Sequence, residues 1–354
     1  MSGRIVIMGG GTGGHVFPAL AVAQEMRVRG WQVSWLGTRM GLESRVAPAH
    51  GIEIDWLTVE GIRGKGWITK LTSAFKLIQA CRQARQILMR RKPHVILGMG
   101  GFVAAPGGFM AKALGIPLVV HEQNRVPGTT NRLLAKMAAS RVLEAFPGSF
   151  SKSAQAICTG NPLRNSFLNL TEKTIWRPRL GRNLRVLIVG GSQGAKILNE
   201  QVPAALALLN GLEIKHQSGQ AMYEEVVNRY LQLKITAEVS AFIEDMTSAY
   251  QWADLMICRA GAMTVSEVAA SGLPTIFIPL MHAIDDHQTA NARYLTEAGA
   301  AILLPQSDLN AESLRDAVQS AMTSLPSMSL AAKAKARLEA TQTVADICIA
   351  EAAI

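Results

Sequence analysis

A chain of 354 residues is long for one domain and comfortable for two, and 49% hydrophobic residues supply sizeable cores and exclude a disordered protein. Four scattered cysteines, Cys81, Cys158, Cys258 and Cys348, form no CxxC pair, which argues against a disulfide framework or zinc site and for a reducing compartment. The net charge of +10 is local: the ten cations between Glu60 and Glu122, from Arg63 to Lys112, meet no acidic residue there and equal the whole excess, so an anionic partner surface is expected.

The N-terminal residues do not read as a signal peptide, because only four apolar residues follow Arg4 before the glycines. No window reads as a membrane span; the most apolar stretch, 98–120, is broken by Pro106, Lys112 and Pro117. Arg4–Met8 reads as a buried strand. It leads into the turn Gly9-Gly10-Gly11-Thr12-Gly13-Gly14, a helix through Ala19–Arg29 ended by Gly30, and a strand at Gln32–Leu36. The turn satisfies G-x-G-x-x-G, a weak signal alone. A dinucleotide site wants a carboxylate at the end of the second strand, and Leu36-Gly37-Thr38-Arg39 has none. Arg39 leaves an NADP-dependent oxidoreductase open, and a ligand-free turn is the plain alternative. His15 begins the helix, where exposed N–H groups and the helix dipole favour a neutral imidazole able to take a proton from a hydroxyl. Its plain alternative is a histidine bonded to backbone.

The stretch 61–92 is basic and amphipathic. Leu71, Phe75 and Ile78 share a helical face, Trp67 and Ile68 lead into it, and Lys70, Lys76, Arg82 and Arg85 flank it. That pattern suits a helix seated in an anionic membrane interface, and equally an ordinary surface helix with its stripe in the core. Nucleic acid is disfavoured, since few aromatics interleave the cations. Pro93–Leu97 and Ile116–Val120 are further strands, Ala156–Cys158 is strand-like, and Gly160-Asn161-Pro162 marks a boundary.

From Asn183 the pattern restarts: a strand to Val189, the glycine turn Gly190–Ala195, and a helix through Leu208. Strands follow at Glu213–His216, Glu238–Phe242, Leu255–Cys258 and Thr275–Ile278, and a last helical stretch covers Ser329–Ala353. Two β-Gly turn-α units predict two doubly wound domains. The second turn exposes N–H groups and the Ser192 hydroxyl, which suits a phosphate or pyrophosphate, and no P-loop lysine accompanies it. A third turn, Arg259 to Glu267, lets a ligand approach a helix start; Glu267 there either complements the helix dipole or accepts from a ribose diol. His282 to Gln288 has capping-box spacing (Asp285 and Gln288) and no clean metal set. Gln288 is placed to meet a sugar hydroxyl.

In order and spacing, "GGTGGHVFPALA", "GMGGFVAAPGG", "HEQN", "GNPLR", "GGSQGA" and "AMTVSE" resemble the MurG family of bacterial glycosyltransferases over nearly the whole chain. The resemblance implies an α/β, GT-B fold of two Rossmann-like domains separated by a cleft. The boundaries are 1–162 for an acceptor- and membrane-facing domain and 163–340 for a UDP-GlcNAc-binding domain, with a helix of about 341–354 packing back on the first. It implies inverting, metal-independent and cofactor-free transfer of GlcNAc from UDP-GlcNAc to the MurNAc 4-hydroxyl of undecaprenyl-pyrophosphoryl-MurNAc-pentapeptide. His15 is then the catalytic base, with Glu122 as alternative or helper. Ser192 meets the diphosphate, Glu267 the ribose, Ile243 the uracil through its backbone, and Gln288 the GlcNAc. Ala262, Met263, Thr264, Val265 and Ser266 line the nucleotide, and Arg164 lies near it. Thr12, Gly13, Gly14 and Asn124 complete the site. Trp67, Ile68, Lys70, Leu71, Phe75 and Arg82 contact an anionic phospholipid surface on the cytoplasmic face of the cell membrane, where other cell-wall synthesis proteins are potential partners. A non-catalytic, membrane-associated nucleotide-sugar-binding protein is the remaining alternative.

Overall fold

The computed structural model describes residues 3–58, 67–168, 170, 182–191, 193–281 and 286–352, with the helix path alone over 67–75. The chain divides into two compact units, Met1–Arg164 with Arg337–Ile354, and Asn165–Ala336. The first unit holds β1 (Arg4–Met8), β2 (Gln32–Gly37), β3 (Glu53–Trp56), β4 (Val95–Gly98), β5 (Leu118–Glu122), β6 (Arg141–Glu144) and β7 (Ile157–Cys158). They form one parallel sheet in the order β3-β2-β1-β4-β5-β6-β7. The second unit holds β8 (Leu184–Val189), β9 (Leu212–Gln217), β10 (Glu238–Ser240), β11 (Leu255–Cys258), β12 (Thr275–Phe277) and β13 (Ala301–Leu303). Its parallel order is β10-β9-β8-β11-β12-β13.

Parallel strands covered on both faces need apolar side chains on both. β1 supplies them: Ile5 and Ile7 enter one core with Val95 and Leu97 of β4, while Val6 and Met8 enter the other with Ile96. Each such side chain contributes about 1.5–3 kcal/mol on full burial. The C-terminal helix Ala340–Glu351 packs on the helix Gly13–Val28 and adds Val344, Ala345 and Cys348 to the first core. In each sheet the strand order reverses beside the first strand, between β1 and β4 and between β8 and β11. Crevices outside the carboxyl ends of strands at such switch points are where open α/β sheets bind ligands. The glycine turns lie there.

Several expectations need correction. The first helix runs from Gly13 to Val28 rather than over Ala19–Arg29, and His15 stands in its first turn, at the helix start as expected. The final helical stretch is two helices, Leu325–Ala334 and Ala340–Glu351. Strands β3, β6 and β13 were not anticipated; each has only three or four residues, too few for a period to show. β4 and β5 run later than expected, to Gly98 and Glu122.

Candidate active site and donor pocket

In the first unit the opening glycine turn is tied down internally. Trp35 Nε1 donates to the Gly9 carbonyl at 2.8 Å, and Gly11 N–H donates to Glu43 Oε2 at 2.9 Å. Glu43 is fully buried, and its Oε1 accepts from Thr38 N and Thr38 Oγ1 at 2.9 and 2.8 Å. A carboxylate therefore does close the end of β2, but as an internal brace rather than a ribose ligand. A negative charge on Gly11 N–H disfavours a pyrophosphate at that point, which removes the physical basis of the NADP reading. Arg39, its other support, stacks over Trp56, 5.3 Å from the ring centroid. The first-turn N–H groups of Gly13 and Gly14 have no side-chain cap; Thr12, the N-cap residue, makes no capping bond.

The loop after β4 brings Gly100 and Gly101 against this turn, both with positive φ. A Cβ on Gly101 would lie 2.5 Å from the Gly10 carbonyl oxygen, and one on Gly100 would lie 3.0 Å from the His15 ring. Only glycine permits that approach. The half-buried His15 ring is held by Gln123, with Nδ1 2.7 Å from Gln123 Oε1. Asn124 and Glu122 lie in the same segment at the end of β5. Glu122 is 1% exposed, and its carboxylate accepts four bonds: from Asn124 N and Nδ2 at 2.9 and 3.1 Å, from Gly128 N at 3.0 Å and from Asn131 Nδ2 at 2.9 Å. Those bonds shape the loop 122–131 and fit a scaffold role better than that of a base. Arg164 stacks over Phe17, 5.3 Å from the ring centroid.

The second unit contains a pocket of about 660 Å³ at its switch point. Gly190, Gly191, Gly194 and Ala195 form one wall, Arg259, Gly261 and Thr264 another, and Leu280, Gln288 and Gln306 complete it with Lys196, Ile197 and Glu200. The turn requires glycine for close approach: a Cβ on Gly194 would lie 2.0 Å from the Ser218 carbonyl oxygen, and one on Gly219 2.4 Å from that of Gln193. The helices Lys196–Leu206 and Ala262–Ser271 both start beside the cavity, and among the described residues their N-cap residues, Ala195 and Gly261, make no side-chain capping bond. Arg259 anchors on the Ile278 and Pro279 carbonyls at 2.9 and 3.1 Å, and burial lowers its pKa, although a guanidinium stays charged. Lys196 and Arg259 are cations at this pocket to which the sequence alone assigned no role. Their signal was position: one follows the second glycine turn and the other opens the third.

The residues expected from sequence divide clearly. Thr264 and Gln288 line the pocket, although Gln288 Oε1 also accepts from Leu280 N at 2.9 Å. Val265 is fully buried and Ala262 nearly so, while Met263 and Ser266 are half-buried. Glu267 sits in the second turn of its helix, not the first, which weakens its dipole role, and Tyr250 OH lies 3.5 Å from its Oε2. Ile243 N–H donates to Gln217 Oε1 at 2.9 Å, and Gln217 Nε2 donates to the Gly191 carbonyl at 2.9 Å, so one amide joins the Ile243 segment to the glycine turn. The helix Asp285 was expected to cap begins after Asp286, which stands in left-handed conformation without a side-chain cap bond. Ser192 and His282–Asp285 lie outside the described residues, as do the side chains of Trp67, Ile68, Lys70, Leu71 and Phe75. Arg82 is exposed on the helix Trp67–Arg91, beside exposed Ile78 and Leu77. Some of these cations have structural partners among the described residues: Arg90 and Arg91 pair with Asp55 and Glu53, and Lys112 donates to the Met137 carbonyl.

Residues 5–142 match the glycosyltransferase family 28 N-terminal domain and residues 185–348 the family 28 C-terminal domain. The chain is 58% identical to the UDP-N-acetylglucosamine–N-acetylmuramyl-(pentapeptide) pyrophosphoryl-undecaprenol N-acetylglucosamine transferase of Methylococcus capsulatus, over 99% of both chains. It is 48% identical to the protein of the same name from Tolumonas auensis, over 98% of this chain and 99% of the relative. Among solved structures, Acinetobacter baumannii MurG superposes with a TM-score of 0.84 at 41% identity, over 98% of this chain and 99% of that one. The kitacinnamycin glycosyltransferase, at 16% identity and a TM-score of 0.73 over 99% and 100%, shares the GT-B fold. The chain belongs to glycosyltransferase family 28, within its MurG group.

Proposed function

We propose that this chain is the enzyme that moves GlcNAc from UDP-GlcNAc to the 4-hydroxyl of MurNAc in undecaprenyl-pyrophosphoryl-MurNAc-pentapeptide. The observation that carries the donor half is the pocket of the second unit. Glycine-turn N–H groups, two helix starts and the Lys196 and Arg259 cations border a cavity of nucleotide size. The N–H groups and cations hold the diphosphate and stabilise the charge that develops on UDP as it leaves. Glu267 accepts from the ribose hydroxyls, the backbone of Ile243 meets the uracil, and Gln288 meets the GlcNAc hydroxyls.

The first unit supplies the acceptor half. His15 Nε2 takes the proton of the MurNAc 4-hydroxyl as that oxygen attacks the anomeric carbon opposite UDP. The bond to UDP breaks through an oxocarbenium-like transition state, and the α-linked donor yields a β-1,4 product. With Gly11 N–H occupied by Glu43, Gly13 and Gly14 are the N–H donors left for the acceptor's pyrophosphate. Glu122 orders the loop that carries Asn124 rather than acting as the base. No described helix is long and apolar enough to cross a membrane. Residues around Arg82 on the helix Trp67–Arg91 meet the anionic lipid surface in which the acceptor is anchored.

Thermal unfolding with added ligands tests the donor assignment. UDP and UDP-GlcNAc stabilise the protein, by about 2.7 kcal/mol at a ligand concentration a hundred times Kd, and NADPH does not. Stabilisation by NADPH alone overturns it. A protein stabilised by UDP-GlcNAc that never transfers its sugar is the non-catalytic binder.

A further inference from the structure

We infer that Gln123 and His121 are positioning residues that lock His15 as its Nδ1–H tautomer and so present the Nε2 lone pair to the acceptor hydroxyl. This rests on the reading of His15 as the base. A neutral imidazole is a base only at the nitrogen without the proton, and an isolated ring does not determine which nitrogen that is.

Here a chain of bonds determines it, starting from a group with one role. The Gly160 carbonyl can only accept, and His121 Nε2 lies 2.9 Å from it, so His121 carries its proton on Nε2. His121 is fully buried, and burial holds its pKa near 4, so the ring is neutral and its Nδ1 is an acceptor. Gln123 Nε2 lies 3.1 Å from that Nδ1 and 2.9 Å from the His121 carbonyl oxygen. Two acceptors therefore fix the amino end of the Gln123 amide there. Its Oε1 must face His15, where it lies 2.7 Å from Nδ1 and can only accept. The proton of neutral His15 is thereby assigned to Nδ1. The relay is rigid: Gln123 is 1% exposed, and Asn161 Nδ2 donates to its carbonyl at 3.1 Å.

An amide in this position does what a carboxylate does for orientation without its charge. It fixes ring and tautomer through hydrogen bonding alone. Of the carboxylates on the adjoining segments, Glu122 at the end of β5 accepts four internal hydrogen bonds and Glu43 beneath the glycine turn accepts three. The link joins residues 108 positions apart in the chain.

The tautomer is read directly from the ring-nitrogen NMR signals of His15 in protein labelled with 15N-histidine. The relay predicts a protonated Nδ1 and an unprotonated Nε2 above the ring's pKa. An unprotonated Nδ1 overturns it. Gln123→Met keeps the side-chain length and removes the acceptor. It is expected to mix the tautomers and lower kcat by about tenfold or more, within the 10²–10⁴-fold that a positioned base contributes. Unchanged tautomers and kcat in that folded variant also overturn it. Gln123→Glu restores an acceptor with a charge, holds the imidazolium, and moves the acid limb of the kcat/KM profile to higher pH. An unmoved limb counts against the relay. Since the tautomer is observed without turnover, the relay is judged separately from the base: His15→Ala with undiminished kcat removes the catalytic reading and leaves the NMR result standing.

Discussion

Glu122 separates scaffold from chemistry in one substitution. Its buried carboxylate accepts four hydrogen bonds, two from Asn124 and one each from Gly128 and Asn131. In Glu122→Gln the amide oxygen keeps at most two of them. The other two donors face an NH₂ group in a site closed to solvent, each at a cost of about 1–3 kcal/mol. The first unit should therefore lose about 2–6 kcal/mol. Hydrogen exchange at the Asn124 and Gly128 amides reports the loss locally, and a urea melt reports it globally. The protein has two units, so the melt is analysed as two transitions rather than one. At low temperature, where the variant is folded, kcat should fall far less than a lost general base would produce. A fall of 10³-fold in kcat with stability and amide protection unchanged would refute the scaffold role and return Glu122 to the chemistry.

Other consequences follow from the second unit, the buried histidines and the basic helix. Glu267→Ala should raise the KM for UDP-GlcNAc about 10- to 100-fold, the value of charged hydrogen bonds to a diol, with little change for the lipid acceptor; an effect on the acceptor alone would contradict the ribose assignment. Burial holds His121 and His216 near pKa 4 and 3, below the unfolded value of 6.5, so the unfolded chain binds more protons in acid. Stability should be insensitive to both rings above about pH 6.5 and fall as pH drops toward 4, by up to about 1.4 kcal/mol per pH unit for each, as measured by urea melts at several pH values. Arg82→Glu with Lys76→Glu should weaken binding to vesicles rich in anionic lipid and leave UDP affinity unchanged, in a flotation assay; unaltered flotation would make this helix an ordinary surface element.

The parts of the fold legible in the sequence are those where one chain segment carries the whole signal. β1, β8 and β11 each carry an unbroken apolar run, 5–8, 186–189 and 255–258, because both their faces are covered, and the glycine turns follow from the close approaches they permit. β3 reads EIDW and β6 reads RVLE, so their strand character comes from the neighbour each pairs with. β5 continues into His121 and Glu122, polar residues that mark a strand end in a sequence. They are tolerated buried because Gly160, Gln123 and the 122–131 loop satisfy them. Glu43 was invisible for the same reason. It supplies the carboxylate missing after β2 from a helix that no motif advertises, and it acts on backbone rather than ligand. His15 stood out by its place after the glycines; its bond to Gln123 is a product of tertiary structure.

The central claim is a transfer with inversion, and its product tests it most directly. Incubation with UDP-GlcNAc labelled in the sugar and undecaprenyl-pyrophosphoryl-MurNAc-pentapeptide should give stoichiometric UDP and a lipid-linked GlcNAc-β-1,4-MurNAc, with the β linkage read from the anomeric coupling in the NMR spectrum of the released disaccharide. An α linkage, or release of free GlcNAc without labelled lipid, would contradict the account.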